Sequence, residues 1–380
     1  MRIVYCINAT FNCGGMEKVL MTKANYLADT LGYDVHIIRV QQNGKKNFFN
    51  FSTNITFHDL DVNYDEDDDK NIIQKMICRR KKKKIHKKRL NEVLQKINAD
   101  ICISMFDYEF DILPYIKDKS LKLLEYHFCK KQKVNEERVL IMKLLQYVRT
   151  IIWVSIIKKY DSFVVLTEED KEMWGNLDNI SVIPNPLEKI PSLHSNLDNK
   201  TIIAIGRLTY QKGFDRLIDA WSIIAQEHSD WTLIIYGDGI EKDKLQKRII
   251  DCGIGTNTYI KPATKNIEEI YLNSSLLVMT SRYEGFGMVL IEALSYGIPV
   301  ISFDFPCGPK DIIKDPRLGS LIENGNIYAL AVEIENWIND SNRRMNAKDV
   351  AIFYAKKFEL TFIMNIWKRH FYELITKKAK

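Results

Sequence analysis

The segment Ser281-Arg282-Tyr283-Glu284-Gly285-Phe286-Gly287-Met288-Val289-Leu290-Ile291-Glu292-Ala293 is the part of this chain from which its fold and chemistry are best predicted. It follows a short apolar run, residues 276–280, whose length and composition are typical of a buried parallel strand. Two glycines then loosen the backbone, and residues 288–295 carry a helical pattern that ends at Gly297. The segment therefore predicts a strand, a glycine turn and a helix.

A helix that begins directly after such a turn can bind a phosphate. Its first amides have no partner inside the helix and together carry about half a positive charge. At ~1.5 Å per helical residue, Glu284 and Glu292 lie on the order of 10 Å apart. One carboxylate can therefore stand at each end of a bound diphosphate, and a sugar nucleotide has that shape. The simpler interpretation, two solvated glutamates, does not account for the apolar strand and the glycine turn beside them.

The same segment resembles the E-x7-E signature of family 4 of the retaining glycosyltransferases, which have the GT-B fold, and the match continues through residues 293–301. In that family the first glutamate contacts the donor sugar, the amides between contact the phosphates, and the second glutamate holds the ribose hydroxyls. The resemblance implies that the donor-binding residues here include Glu284, Gly285, Phe286, Gly287, Met288, Val289 and Glu292.

Arg207 and Lys212 flank a turn that follows the apolar run 202–205. Two cations at the end of a strand would neutralise a leaving diphosphate through charge-assisted hydrogen bonds of about 1.5–3 kcal/mol each, although they could also be solvated surface cations. The run resembles the family's G-R-L-x-x-x-K-G motif, which implies diphosphate binding by both side chains. Two further loops, at Gly237 and at Pro262, resemble the turns with which that family lines the nucleotide and frames its base.

The turn after the first predicted strand contains the paired glycines Gly14 and Gly15. Such glycines allow a ligand to approach the backbone without interference from Cβ atoms, although an ordinary tight turn would also use them. The run is not G-x-G-x-x-G, so a dinucleotide site of the dehydrogenase kind is poorly supported. The resembling family has a Gly-Gly-x-Glu turn at this point, facing the donor phosphate and the acceptor, which implies that role for Gly14 and Gly15.

His127 follows the predicted strand 121–125 at its carboxyl end, where doubly wound sheets bind their ligands. A lone histidine is more often a hydrogen-bonded structural residue. The resembling family places a histidine after the corresponding strand, close to the donor sugar. The resemblance therefore implies that His127 contacts the sugar or lines the reaction centre.

The whole chain predicts a two-domain α/β protein. At 380 residues it is too long for one compact core, and its 46% apolar and 27% charged residues are typical of a soluble globular protein. Strands are predicted at 2–7, 34–40, 100–104, 121–125, 162–166, 180–183, 201–205, 231–236, 275–280 and 298–303, and the principal helices of the first half at 15–30, 70–98, 134–158 and 168–174. This alternation predicts two doubly wound, Rossmann-like sheets facing across a cleft.

The Pro184-Asn185-Pro186 segment is the predicted linker between the domains. We expect an N-terminal acceptor-side domain at 1–185, a C-terminal nucleotide-sugar-binding domain at 186–362, and a last helix at 363–380 that crosses back to the first domain as in the GT-B fold. Seven scattered cysteines without a CxxC pair argue for a reducing compartment and against a disulfide or metal framework. The N-terminus enters a strand directly, without a signal peptide, and residues 139–157 are too polar for a typical membrane span, so a cytoplasmic protein is expected.

The formal charge of +6 is concentrated in the first half of the chain, where residues 1–190 hold 31 Lys/Arg against 26 Asp/Glu. An acidic run at residues 59–69 is interpreted as a solvated loop. A basic run of nine Lys/Arg extends from Arg79 to Arg89. This run could be a solvated helix face, or it could bind the anionic inner face of the cytoplasmic membrane, where each cation contributes ~1 kcal/mol. Nucleic acid is not expected as a partner, because no aromatic residues are interleaved with the lysines.

Residues and resemblance together predict a retaining glycosyltransferase of cell-envelope polysaccharide biosynthesis, of the lipopolysaccharide or capsule type. It would move a hexose or N-acetylhexosamine from a nucleotide-diphosphate sugar, expected to be UDP-linked, to a hydroxyl of a glycan or lipid-linked acceptor. The predicted catalytic residues are Glu284, His127, Arg207 and Lys212. Neither a cofactor nor a metal is expected, because no Asp-x-Asp motif stands beside the predicted donor site. The alternatives are a sugar-nucleotide epimerase of the same fold and a non-catalytic sugar-nucleotide binding module.

Overall fold

Two parallel β-sheets organise the computed structural model, which describes residues 1–67, 69, 71–133, 140–264 and 266–378. The first is seven-stranded, with the order β3-β2-β1-β4-β5-β6-β7. Its strands are β1 Arg2–Ile7, β2 Asp34–Arg39, β3 Ile55–Asp59, β4 Ile101–Ser104, β5 Leu121–Tyr126, β6 Ser162–Val165 and β7 Ile180–Val182. Its helices are α1 Gly15–Asn25, extended by a π turn Tyr26–Thr30, α2 Ile72–Ile97, α3 Leu140–Ile157 and α4 Glu168–Trp174.

The second sheet is six-stranded, with the order β10-β9-β8-β11-β12-β13. Its strands are β8 Thr201–Ile205, β9 Thr232–Tyr236, β10 Thr258–Lys261, β11 Leu276–Met279, β12 Val300–Asp304 and β13 Gly319–Glu323. The helices of this half are α5 Phe214–Ile224, α6 Lys242–Asp251, α7 Ile267–Leu272, α8 Met288–Ser295, α9 Pro309–Ile312, α10 Ile327–Asn339, α11 Ser341–Ala355 and α12 Leu360–Lys378. The strand pairs of both sheets are parallel.

The predicted fold class, two doubly wound Rossmann-like domains, is confirmed by these two sheets. The predicted interior strands and helix α8 are all present. Part of the predicted helix 134–158 lies outside the described residues, because its description begins at Leu140. Three strands were not predicted, β3, β10 and β13, and each of them lies at the edge of its sheet. An edge strand is half-exposed and contains polar residues, so it lacks the continuous apolar run that marks a buried parallel strand.

The first sheet is covered on both faces. Alternate residues of β1 point to opposite sides, so that Val4 and Cys6 belong to one core and Ile3, Tyr5 and Ile7 to the other. Helices α2 and α3 pack over the first of these cores. Helix α12, at the end of the chain, packs over the second beside α1, with Ile363, Met364, Trp367 and Phe371 fully buried there. The end of the chain therefore contributes to the core of the N-terminal sheet.

The chain passes between the sheets twice, and the two passages run side by side. Pro184-Asn185-Pro186 separates β7 from β8. Immediately after it, the Leu187 amide donates to the Phe358 carbonyl at 2.7 Å, and Leu187 pairs with Glu359 just before α12 begins. Among the described residues, no helix combines the length and apolar composition that crossing a membrane would need.

A disulfide joins Cys129, after β5, to Cys307, after β12. The expectation that the cysteines form no disulfide is therefore wrong for this pair. The two residues are 178 positions apart, and only the folded arrangement brings their Cα atoms to 5.8 Å. Cysteine spacing along a sequence carries no information about such a long-range contact. Cys6, Cys13, Cys78, Cys102 and Cys252 take part in no disulfide within the described residues.

Candidate active site

Four neighbouring strands of the second sheet place the predicted donor-binding residues at one edge. Arg207 and Lys212 follow β8, Gly237 follows β9, Pro262 follows β10, and Glu284 follows β11. These strands are adjacent in the order β10-β9-β8-β11 and parallel. Their carboxyl ends therefore meet at one edge of the sheet, where α/β proteins bind ligands.

The first sheet presents its own candidates at the equivalent edge. Gly14 and Gly15 lie between β1 and α1, and His127 follows β5. Three contacts show that this edge faces the second domain. Lys18 Nζ lies 3.2 Å from Glu292 Oε1, Glu169 accepts a hydrogen bond from the Cys307 amide at 2.7 Å, and the disulfide crosses the same boundary.

Gly285 lets the backbones of the two domains approach closely. A Cβ atom built on Gly285 would lie 2.0 Å from the carbonyl oxygen of His127. Any side chain at this position would force the backbone of one domain away from the other. The glycine of the predicted sugar-binding loop thus brings Glu284 next to His127, its predicted partner at the sugar.

Glu284 and Lys212 form a direct ion pair. The Lys212 Nζ atom lies 2.5 Å from Glu284 Oε1, and the Ser281 hydroxyl donates to the same oxygen at 2.7 Å. The side chains of Lys212 and Glu284 are 16% and 12% exposed, respectively. The stem of Lys212 crosses Gly206, where an added Cβ would lie 3.1 Å from the lysine Cε. The cation predicted on the diphosphate and the carboxylate predicted on the sugar are therefore neighbours.

Glu292, at the other end of the signature, is also paired. One of its oxygens meets Lys18, and the other accepts a hydrogen bond from the Tyr271 hydroxyl at 2.9 Å. Chiefly because of Glu292, the pKa of Lys18 is raised. Burial, followed by the charge of Glu292, raises the pKa of Tyr271 well above its usual value. Sequence reasoning assigned no role to Lys18 or Tyr271, although Lys18 directly follows the Gly-Gly-x-Glu run.

The predicted glycine turn and helix are both present at the start of α8. Gly287 has a φ of 91°, a left-handed conformation suited to glycine, and α8 begins at Met288. Phe286 is buried, and its ring packs edge-on against Phe358 at 5.9 Å between centroids. Phe286 can therefore offer a ligand its backbone but not its ring. Met288 and Val289 are only partly buried at the first helical turn.

The two loops predicted to hold the nucleotide are attached to one another. An added Cβ on Gly237 would lie 1.9 Å from the Gly206 carbonyl oxygen, so the turn needs glycine there. The Ala263 amide, next to Pro262, donates to Asp238 at 3.0 Å. Pro262 itself is exposed. The loops after β8, β9 and β10 thus form one continuous surface.

The paired glycines of the first turn differ in their surroundings. An added Cβ on Gly14 would lie 2.1 Å from Glu17 Oε2, so the space beside Gly14 admits the Glu17 carboxylate. No atom lies within 4 Å of the equivalent position at Gly15. Burial raises the pKa of Glu17, and its hydrogen bonds to its own backbone and to Asn12, with the nearby charge of Arg207, oppose that rise. Arg207, which is exposed, therefore lies close to the first domain.

Two further acidic residues, Asp107 and Glu109, follow β4 at the same edge, and sequence reasoning missed them. Asp107 accepts a hydrogen bond from the Asn8 amide at 3.1 Å, and Glu109 accepts one from the Ser104 hydroxyl at 2.6 Å. Burial raises the pKa of Asp107 to about 6 and that of Glu109 to about 8. Their position directly after a predicted strand was the signal that could have identified them.

His127 is held by a buried carboxylate. Its side chain is 4% exposed, and its Nε2 lies 3.1 Å from Glu125 Oε2. Its Nδ1 is buried and has no hydrogen-bond partner among the described residues. A buried polar atom without a partner costs about 1–3 kcal/mol, so such atoms often mark a place that a ligand completes.

Comparison with known protein families gives a match in the second half of the chain. Residues 187–352 match the family described as glycosyl transferases group 1. This stretch contains Arg207, Lys212, Glu284 and Glu292. The family match thus covers the predicted donor side.

Several characterised and uncharacterised proteins are similar in sequence. An uncharacterized glycosyltransferase of Haemophilus influenzae is 27% identical over 94% of this chain and 96% of its own length. The amylovoran biosynthesis glycosyltransferase AmsD of Erwinia amylovora is 33% identical over 54% of this chain and 61% of its own length. A Campylobacter jejuni GalNAc-alpha-(1->4)-GalNAc-alpha-(1->3)-diNAcBac-PP-undecaprenol alpha-1,4-N-acetyl-D-galactosaminyltransferase is 26% identical over 97% of both chains.

Solved structures show the same fold over the whole chain. A Staphylococcus aureus TarM mutant, crystallised with Fondaparinux, alpha-GlcNAc-glycerol and UDP, superposes with a TM-score of 0.76 at 18% identity, covering 97% of this chain and 99% of TarM. The lipopolysaccharide outer core galactosyltransferase WaaB superposes with a TM-score of 0.71 at 21% identity over 100% of both chains. At these identities the superpositions establish the GT-B fold.

Proposed function

We propose that this chain is a retaining glycosyltransferase that transfers a hexose or N-acetylhexosamine from a UDP-sugar to a hydroxyl of a cell-envelope glycan or lipid-linked acceptor. One observation carries the proposal. The two carboxylates of the E-x7-E signature stand at either end of the α8 start, each in an ion pair: Glu284 with Lys212, and Glu292 with Lys18. Both pairs lie at the boundary where the two domains meet.

The donor would lie along this boundary. Its diphosphate fits between the α8 start and the cations Arg207 and Lys212, since amides and cations both favour an anion there. Its sugar would then reach Glu284, and its ribose would reach Glu292. UDP accompanies the structurally similar TarM, which supports a UDP-linked donor here.

Transfer would take place on the front face of the sugar. Glu284 orients the sugar, and the departing diphosphate accepts the proton of the acceptor hydroxyl as the new glycosidic bond forms on the side from which the phosphate leaves. Arg207, Lys212 and the α8 amides stabilise the charge that develops on the diphosphate. These groups would perform the charge neutralisation for which other enzymes use a divalent ion, so we propose metal-independent transfer.

The acceptor would bind on the first domain. The loops after β1, β4 and β5 present Gly15, Asp107 and His127 at the same edge. The Campylobacter relative carries an undecaprenol-linked glycan in its name, and AmsD is named for amylovoran biosynthesis. These names support an acceptor that is a lipid-linked or polysaccharide glycan.

An anionic membrane is the further partner that we propose, through the basic run of residues 79–89 on α2. The structure divides this run. Lys82 binds Asp67 at 2.8 Å, Lys83 binds Asp111, and Arg89 binds the Leu60 and Asp61 carbonyls. The exposed cations that remain include Arg79, Arg80, Lys81, Lys84 and Lys87.

Helix α3 adds exposed apolar side chains to the same face of the first sheet. Both helices pack over one core, through Leu90 and Leu94 of α2 and Ile156 and Ile157 of α3. The exposed apolar side chains of α3 are Tyr147, Val148, Ile151 and Ile152. A surface that combines cations with exposed apolar residues suits the boundary between lipid headgroups and acyl chains.

Vesicle sedimentation tests the membrane proposal. The triple variant Arg80→Gln, Lys81→Gln, Lys84→Gln should bind anionic vesicles on the order of a hundredfold more weakly than the parent, because each cation contributes ~1 kcal/mol. A matched triple variant of α6, at Lys242, Lys244 and Lys247, should bind as the parent does. Equal loss from both variants, or from neither, would remove the basic run from the proposal.

Incubation with a panel of UDP- and GDP-sugars tests the catalytic proposal. Slow hydrolysis of one donor, followed by transfer to a lipid-linked glycan, is the expected result, and NMR should show a product whose anomeric configuration matches the donor. An inverted product would reject the retaining mechanism. Conversion of the donor to its epimer without an acceptor would reject transfer.

A further inference from the structure

We propose that Lys23 and Glu125 are positioning residues for His127, which they hold in the tautomer whose Nδ1 accepts a hydrogen bond from a hydroxyl of the bound sugar. The sugar in this statement depends on the function proposed above. The tautomer does not, and it can be measured without any substrate.

A buried network of charged side chains contacts His127. Glu125 lies in β5 and is 1% exposed. Both of its oxygens meet the ammonium of Lys23, at 2.7 and 2.6 Å. One of them also lies 3.1 Å from Nε2 of His127. Lys23 comes from α1, so α1 and β5 meet at the carboxylate that contacts the histidine.

Glu125 carries a negative charge in this network. Burial alone would raise the pKa of this carboxyl, but the ion pair with Lys23 and the hydrogen bond with His127 outweigh burial and lower the pKa. Glu125 is therefore an ionised carboxylate, which accepts hydrogen bonds and cannot donate them. The hydrogen between Glu125 and His127 must reside on Nε2. In the neutral imidazole, Nδ1 is then an acceptor.

Two aromatic rings and the Glu125 carboxylate hold Lys23 in place. Its side chain is 2% exposed, and its ammonium lies 3.7 Å from the ring centroid of Trp367 and 5.7 Å from that of Tyr5. Trp367 belongs to α12, the last helix of the chain. The cation is thus fixed between an aromatic face and a carboxylate, which restricts Glu125 to one orientation.

Nδ1 of His127 can accept a hydrogen bond. This atom is buried without a hydrogen-bond partner among the described residues. The carbonyl oxygen of the same residue faces Gly285, next to Glu284. An acceptor nitrogen at the boundary of the two domains suits the hydroxyl of a sugar. A protonated Nδ1 would instead donate a hydrogen bond and would need an acceptor atom opposite it.

The alternative is that the Lys23–Glu125 pair only stabilises the fold. Buried ion pairs are a weak source of stability, because the loss of hydration offsets most of their attraction. The chain offers a matched comparison in Lys122, which is buried at the opposite end of the same strand and paired with Asp118. A purely structural role would make the two pairs equivalent.

Histidine NMR tests the proposal on the full chain. With ¹⁵N-labelled histidine, and His127 assigned by its loss in His127→Gln, the parent protein should show protonated Nε2 and unprotonated Nδ1. Glu125→Gln should shift the population toward protonated Nδ1, because its amide can donate to Nε2. Lys23→Met should act in the same direction, because an unpaired buried carboxyl takes up a proton and becomes a donor.

Kinetics supply the second measurement. Both variants should lower kcat/KM for the sugar nucleotide by about tenfold while UDP, which lacks the sugar, binds as to the parent. Lys122→Met should lower the melting temperature without changing either the tautomer or kcat/KM. Protonated Nδ1 in the parent would overturn the proposal, as would an unchanged tautomer in whichever of the two variants folds. Inactivity of the parent toward every donor would reject the proposed function and leave the tautomer assignment standing.

Discussion

The two halves of the candidate site are built in different ways. In the second domain each functional group comes from a short contiguous run after one strand: Arg207 and Lys212 after β8, Glu284 and the α8 start after β11. In the first domain, Lys23 of α1 pairs with Glu125 of β5, which is 102 positions away and also contacts His127. Lys18 of α1 reaches Glu292 across the domain boundary. Local motifs therefore describe the donor side, whereas long-range contacts assemble the side that faces it.

The contact that joins the halves should be the most sensitive to change. Gly285→Ala would place a Cβ 2.0 Å from the His127 carbonyl oxygen, which forces the two loops apart. We expect transfer to fall about a hundredfold, ~2.7 kcal/mol, because catalysis needs both domains in contact. Activity assays and small-angle scattering of the domain separation check this expectation.

Gly255→Ala is the control for that substitution, since no atom lies within 4 Å of its added Cβ. Equal activity of the two alanine variants would show that transfer does not need this contact between the domains. The two halves of the site would then not depend on each other as described above.

Within the donor half, Glu284→Ala, Arg207→Ala and Lys212→Ala should each reduce transfer at least tenfold, ~1.4 kcal/mol. Glu284 loses its contact with the sugar, and the two cations lose their contact with the diphosphate. Rates at saturating donor, with UDP affinity measured separately, distinguish the two effects. Lys242→Ala on exposed α6 should keep the parental rate. Full activity in all three site variants would mean that these groups do not form the site.

Across the boundary, Lys18→Met should have a smaller effect. The Lys18–Glu292 pair is 38% and 19% exposed, and exposed pairs contribute about 0–1 kcal/mol. We expect up to a fivefold rise in KM for the donor, which diminishes at high salt because ions screen the pair. Lys189→Met, which removes a surface pair with Glu268, should leave KM unchanged. A hundredfold effect from Lys18→Met would place this lysine in the reaction itself.

The first half should also respond to pH. Burial raises the pKa of Glu109 to about 8, whereas an exposed glutamate ionises near pH 4.3. Between these values the unfolded chain binds fewer protons than the folded one, so stability falls as pH rises. The melting temperature should drop more for the parent than for Glu109→Gln between pH 5 and pH 8. Exposed Glu172→Gln should behave as the parent, and identical curves for all three proteins would contradict the assigned pKa.

Sequence reasoning identified more of the candidate residues on the donor side of the site than on the side that faces it, and the reason is physical. Interior parallel strands are continuous apolar runs, and α8 extends over Met288–Ser295 as its pattern predicted. The edge strands β3, β10 and β13 lack that pattern because one side of each meets solvent. The motifs that bind anions also need adjacent residues, so they are visible as contiguous segments.

The first domain offered fewer local signals. Lys23 lies in a helix whose pattern does not distinguish a buried cation from a solvated one, and Glu125 shares its short strand with a second charged residue, Lys122. Gly14 was predicted to leave space for a ligand, and in the structure that space admits the Glu17 carboxylate. Each of these features depends on which elements pack together, which the spacing of residues does not encode.

The bond between Cys129 and Cys307 closes a covalent loop that contains the first passage between the domains. A protease that cuts the exposed segment near Leu193 would therefore leave one molecule rather than two. The fragments would migrate together on a gel until a thiol reagent opened the bond, and afterwards as two bands of about equal size. Limited digestion with and without reductant thus reports the oxidation state of this cysteine pair.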